Sequence, residues 1–260
     1  MSFGVNRRKI SDTVIALAMA LLIGPFQAGA AELINIQFED SGSSFSGAAV
    51  DPSLGGTWNQ LTNGSGTSSS LVNSSGVHTS TSISWTGGGV FSSGNGFSGT
   101  SVSNLMTSYL YASDSNSITF SNLKQNTTYS LYIYSQGASD GAGRKLSVGG
   151  SQINGGSQTT QAADPSASTF IAGQNYLTIT GNTDASGTLS FDYGANGTSG
   201  GAILNGASEA DINGIQLMEA SGAVPEPSTY VLMGIGGLMV AFKLRSRSLS
   251  LIGIKTGDKD

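Results

Sequence analysis

Apolar residues recur at every second position in short runs through the middle of the chain. Ile34, Ile36 and Phe38 alternate with Asn35 and Gln37; Val77, Ile83 and Trp85 share one parity through Ser- and Thr-rich spacers; Ile118 and Phe120 flank Thr119. Tyr129, Leu131 and Ile133 alternate with Ser130, Tyr132 and Tyr134. The rhythm returns at Leu146 and Val148, Leu177 and Ile179, Leu189, Phe191 and Tyr193, and Ile215 and Leu217. Successive strand side chains point to opposite faces, so this spacing predicts half-buried strands, with Tyr132 and Tyr134 facing outward. Helical spacing is nearly absent, the one candidate being a turn around residues 103–108. Turn signals separate the runs: Asn63-Gly64, Ser75-Gly76, Asn95-Gly96, Gly149-Gly150, Asn154-Gly155, Gly181-Asn182 and Asn196-Gly197. Glycine and asparagine supply the positive φ that tight hairpins need. The longer Gly/Ser segments, 62–70 and 87–101, are predicted to be surface loops. About eight strands so punctuated predict a mostly β fold, a single antiparallel β-sandwich or barrel.

Two segments break the pattern. Arg7-Arg8-Lys9 precedes an apolar run, Val14 to Phe26, and the small residues Ala28-Gly29-Ala30-Ala31. Charge, apolar core and small residues in that order predict a secretory signal peptide, 1–31, that sends the chain through the general translocon. Near the other end stand Val224-Pro225-Glu226-Pro227-Ser228, an uncharged run from Thr229 to Phe242, and the basic residues Lys243, Arg245 and Arg247. Proline lacks an amide hydrogen and pushes its predecessor towards extended geometry, so a helix can begin only after Pro227. The apolar run, with snorkelling flanks, spans most of a bilayer core of roughly 30 Å, and the basic residues stop transfer and hold that end in the cytoplasm. The predicted organisation is a signal peptide 1–31, a β-sandwich 32–222, a transmembrane sorting segment 223–247 and a cytoplasmic tail 248–260.

The order of Pro-Glu-Pro, apolar helix and basic cluster over Val224 to Arg247 resembles the PEP-CTERM protein-sorting signal of Gram-negative bacteria. The resemblance implies a secreted protein held in the inner membrane until a membrane-embedded exosortase cleaves near the signature, with Pro225, Glu226 and Pro227 as the recognition motif. The chain departs from the family's usual ending in continuing past the basic cluster, from Leu249 to Asp260. A second, weaker resemblance covers most of the middle region. Ile34 to Phe38, Thr57-Trp58-Asn59, Tyr109-Leu110-Tyr111, Leu123 to Tyr134, Arg144 to Val148 and Ile212 to Leu217 occur in an order similar to that of galactose-binding-like jelly-roll modules. That likeness implies carbohydrate binding through loops at one end of the sandwich and, in many members, a structural calcium.

Charge and composition narrow the chemistry. Between residues 32 and 224 three cations (Lys124, Arg144, Lys145) face twelve carboxylates, and 3 minus 12 gives −9. Such a surface repels phosphate backbones, so no nucleic-acid partner is expected. Cysteine is absent, which excludes disulfides, thiolate metal sites and a cysteine nucleophile. Charged residues make up only 10% of the chain, too few for a disordered polar stalk. The single histidine, His78, is expected to face solvent, and no Gly-x-Ser-x-Gly elbow accompanies it. Sugar recognition asks for aromatic faces and amides on loops, for which Trp58, Asn59, Tyr132 and Tyr134 are the candidates; the competing reading puts Trp58 over the core and pairs the tyrosines on a sheet face. Calcium would need converging oxygens, for which Asp40, Asp51, Asp140 and Glu209 are the candidates.

Two functions are expected. The preferred one is a non-enzymatic exported surface or matrix protein, sorted by exosortase and associated with extracellular polysaccharide or biofilm. The alternative is a small secreted carbohydrate hydrolase using a carboxylate pair, Glu39 with Asp40 or Glu209 with Asp211.

Overall fold

Leu33–Phe38 forms β1, and all six of its residues are buried, so the alternation Ile34, Ile36, Phe38 marks one covered face and Asn35 and Gln37 lie on a second. The computed structural model describes residues 32–40, 42–92, 96–112, 114–137, 144–195 and 209–220. The signal peptide, the Pro-Glu-Pro segment with its apolar run and basic cluster, the tail, and Asp140 lie outside them. The chain divides into two compact units, Met1–Ala220 and Ser221–Asp260, and every described residue belongs to the first. Among the described residues no helix is long and apolar enough to cross a membrane.

The first unit is mostly β. After β1 come β2 (Asn59–Leu61), β3 (Gly66–Ser68), β4 (Ser82–Trp85), β5 (Gly89–Ser92), the one-turn helix α1 (Ser103–Thr107), β6 (Ser108–Ala112), β7 (Asn116–Ser121) and β8 (Thr128–Tyr134). They are followed by β9 (Ser147–Gly149), β10 (Gln158–Thr159), β11 (Tyr176–Asn182), β12 (Leu189–Gly194), β13 (Ala210–Ile212) and β14 (Gly214–Glu219). They make three sheets with orders β11-β8-β14-β1-β2, β10-β9-β12-β7-β4-β3 and β13-β6-β5. Every pairing between these strands is antiparallel except β1 with β2. The single sandwich of the sequence reading is thus two larger sheets plus a small third one. Segments 62–70 and 87–101, expected to be loops, contribute β3 and β5, and Gly181-Asn182, expected to be a turn, continues β11.

The predicted apolar parities meet in one core. Ile34, Ile36 and Phe38 of β1, Leu131 and Ile133 of β8, Leu177 and Ile179 of β11, and Ile215 and Leu217 of β14 pack in the same cluster as Ile83, Trp85, Ile118, Phe120, Val148, Leu189, Phe191 and Tyr193 from the six-stranded sheet. At about 25 cal/mol per Å² of buried apolar surface, this cluster is the main source of stability in a domain without disulfides. Val77 departs from its expected parity: it is 59% exposed, because its segment makes only the isolated bridge Val72 with His78.

The opposite face of the five-stranded sheet is also covered. A second cluster of Phe45, Trp58, Phe97, Val102, Leu105, Met106 and Tyr134 lies on it, with Val50, Tyr132, Phe170 and Tyr176 packed against them. Gly214 makes the close approach possible: a Cβ there would stand 2.6 Å from Ile36 O, 2.9 Å from Leu105 Cδ1 and 3.1 Å from Trp58 Cζ3. The two tyrosines expected to face outward therefore face this second cluster, Tyr134 fully buried and Tyr132 half-buried.

Candidate functional site

Polar side chains that alternate with the core residues of β1 and β14 fasten the covering segments to the sheet. Gln37 donates through Nε2 to Ser43 O (3.1 Å) and Asn104 O (2.9 Å) and accepts from Phe45 N–H (2.8 Å). Gln216 donates through Nε2 to Asn35 Oδ1 (2.9 Å) and Leu54 O (2.6 Å), while its Oε1 accepts from the Tyr134 hydroxyl. Asn35 donates to Thr57 O at 3.1 Å. A buried amide costs free energy unless its groups are paired, and here pairing converts what read as solvent-facing positions into anchors. Burial pushes the Tyr134 hydroxyl pKa far above its ordinary value, so it stays protonated and donates to Gln216.

Where β13 meets β14, Asn213 ties its own segment to two others. Its Nδ2 donates to Met106 O (3.0 Å), Ser108 O (2.8 Å) and Gln136 O (3.0 Å), and its Oδ1 accepts from Gln136 N–H. Beside it lies a buried cluster of charged side chains. Arg144 is 8% exposed, bonds Glu209 through its guanidinium, and lies 3.7 Å from Asp211 Oδ1. Asp211 is fully buried and abuts Gly137, where any Cβ would collide with its Oδ2. Burial raises the Tyr193 hydroxyl pKa strongly, with a further contribution from the Asp211 charge; that hydroxyl donates to Thr86 O at 2.6 Å. One guanidinium balancing two carboxylates is an arrangement that holds chain segments together. A glycosidase pair must instead face each other across a sugar.

Of the residues singled out from sequence, Trp58, Tyr132 and Tyr134 come together in the second cluster and Glu209 and Asp211 at Arg144, whereas the described calcium candidates do not gather. Trp58 is 5% exposed, its indole N–H donating to Gly47 O at 3.0 Å and its ring 5.2 Å from Phe45 and 6.2 Å from Tyr134. A ring so covered has no free face for a sugar. Asn59 spends its side chain on Asn35 O (2.9 Å), Val72 O (2.8 Å) and Val72 N–H (2.8 Å). Tyr132 stacks on Tyr176 with centroids 6.4 Å apart and planes 28° apart, and both are half-buried. Asp40 is exposed after β1, whereas Glu39 is buried and its carboxylate accepts from Ser43 N–H. Asp51 accepts from Ser53 N–H (2.8 Å) and Oγ (2.7 Å), and the Ser53 hydroxyl holds its pKa below the ordinary value. Glu209 is taken by Arg144. Among the described residues no three His or acidic side chains gather to hold a metal. His78 is exposed, with Nδ1 3.1 Å from Ser70 Oγ.

Sequence reasoning overlooked Arg144, Asn213 and Tyr176. Arg144 carried a usable signal, since only three cations stand among residues 32–224. Asn213 and Tyr176 carried none, because their importance comes from contacts distant in sequence.

Comparison with known proteins bears on the other end of the chain. Residues 223–248 match the PEP-CTERM protein-sorting motif. The motif contains Pro225, Glu226, Pro227, Lys243, Arg245 and Arg247. It marks an exported protein, anchored in the membrane before processing, with exosortase as the processing partner. No curated protein matches the chain. Among solved structures, the ANX2 ectodomain from Arabidopsis thaliana aligns at 13% identity with a TM-score of 0.42, covering 74% of this chain and 52% of its own. The ANXUR1 extracellular domain from the same plant aligns at 13% with a TM-score of 0.40, covering 73% and 49%. The chain spans about half the length of these structures.

Proposed function

We propose that the protein is a non-catalytic surface or extracellular-matrix component, exported by its signal peptide, held in the inner membrane by residues 223–248 and released by exosortase. The observation that carries this reading is the match to the sorting motif. The β unit is then the cargo, a jelly-roll module of the galactose-binding-like kind that contributes to exopolysaccharide or biofilm. Its affinity for glycan is weak and rests on the stacked pair Tyr132 and Tyr176, the candidate aromatic faces that keep some exposure. Stacking needs an accessible face more than it needs a charged group. The absence of turnover is supported by the employment of the candidate carboxylates: Glu39 caps Ser43, and Arg144 binds Glu209 and lies beside Asp211.

The test is the mature carboxyl terminus by intact-mass analysis. The wild-type chain is expected to end near the Pro-Glu-Pro signature, and a chain carrying Pro225→Ala with Glu226→Ala is expected to keep residues 228–260 and stay in the inner membrane. Identical masses for the two released products would overturn the sorting reading. A glycan array on the released protein checks the cargo: signals should be lost in Tyr132→Ala and retained in Trp58→Phe.

A further inference from the structure

From residue 52 to residue 113 the chain contains no Asp, Glu, Lys or Arg. That is 62 consecutive positions (113 − 52 + 1) within a region whose net charge is −9. Those positions supply one edge of every sheet: β2 ends the five-stranded sheet, β3 the six-stranded sheet, and β5 the three-stranded sheet. Gly64, two residues before β3, lies against the start of β5, since a Cβ on it would stand 2.5 Å from Gly89 Cα, so the part of β5 left for a partner begins at Val90. On β5, Val90 leans on the core, whereas Phe91 is 52% exposed, with the Tyr109 ring 6.0 Å from its own.

An open edge strand offers unpaired N–H and C=O groups to another chain, and proteins ordinarily block this with lysine, proline, a bulge or an inward charge. β5 reads Gly-Val-Phe-Ser and carries none of those residues. Two copies of an acidic domain repel each other, so an edge strand drawn from the charge-free stretch of chain is where they can approach at low electrostatic cost. We infer that β5 is a self-association edge, pairing antiparallel with β5 of a second copy about a two-fold axis, with the two Phe91 rings covering each other. Like patches meeting like patches is the requirement of an isologous contact, and the small strand makes it a weak one, suited to a crowded matrix.

The cysteine-free sequence permits a direct test on the full-length chain in detergent. Ser92→Cys places one thiol on β5. Thr178→Cys places one at an exposed position on β11, the opposite edge of the five-stranded sheet, with the same micelle. With a short bis-maleimide, Ser92→Cys should yield covalent dimer and Thr178→Cys only monomer, and adding Phe91→Glu to Ser92→Cys should abolish the dimer. Phe91 is half exposed, so this variant should keep wild-type tryptophan fluorescence. The proposal fails if Ser92→Cys stays monomeric, if Thr178→Cys dimerises as readily, or if the dimer survives Phe91→Glu. None of these outcomes depends on whether the carboxyl terminus is processed.

Discussion

Replacing Asn213 by alanine should be among the most damaging single changes in the β unit. The side chain is fully buried and serves Gln136 N–H together with the carbonyls of Met106, Ser108 and Gln136. Each buried group left without a partner costs about 1–3 kcal/mol. Counting the Gln136 amide and one carbonyl gives a loss of roughly 2–6 kcal/mol, against a total of about 5–15 kcal/mol for an ordinary domain. With a urea slope near 2 kcal/mol per M, the midpoint should fall by about 1–3 M. Tryptophan fluorescence during urea unfolding is a suitable assay, since Trp85 lies in the main core and Trp58 in the cluster on the other face. Asn213→Asp sharpens the test. It keeps an acceptor for Gln136 N–H but turns a second oxygen towards carbonyls, so it should be no better tolerated than alanine. A midpoint shift equivalent to less than about 0.5 kcal/mol, the size of an ordinary surface change, would refute the reasoning.

Gly187→Ala should cost several times more than Gly155→Ala in the same urea assay: both have positive φ, +77° and +82°, but a Cβ at Gly187 would collide with Leu123 O whereas Gly155 faces open space; equal losses would contradict this. Acid should destabilise the fold through the three Asp-x-Ser turns, in which hydroxyl bonds from Ser53, Ser166 and Ser186 hold the pKa of Asp51, Asp164 and Asp184 below the usual 3.8. A carboxylate with a lowered folded pKa stabilises above its unfolded value, and that contribution is lost as pH falls through the folded one. Asp184→Asn should therefore lose less stability than wild type between pH 5 and acid below 3.8, measured by thermal unfolding.

The strands of the main core were legible because period-two alternation survives wherever one face meets a core, as at Ile118 and Phe120 or Leu189, Phe191 and Tyr193. The short turn of α1 was legible at its actual place. The edge strands β2, β3 and β5 were not, since three or four residues are too few to carry a period. The larger loss was the second covered face. Alternation tells that one face is apolar, but it leaves open whether the other meets water or a blanket of chain. Asn35, Gln37 and Gln216 look like solvent positions in the sequence, and only the partners Leu54, Thr57, Phe45 and Asn104 show that they are internal anchors. The same blanket removed Trp58 from the surface. For the sorting segment the position was reversed: three features in fixed order made it readable in sequence, and it lies outside the described residues.

The placement of β14 has a mechanical consequence. It is an interior strand, bonded along its length to β8 on one side and β1 on the other, and it ends at Glu219, immediately before the chain runs to the sorting motif. Tension applied through that end acts along the strand axis, at right angles to the antiparallel hydrogen bonds. Both ladders are then loaded in shear together and cannot be unzipped one bond at a time. A protein pulled by its carboxyl end would resist extension with the strongest geometry that its sheet provides.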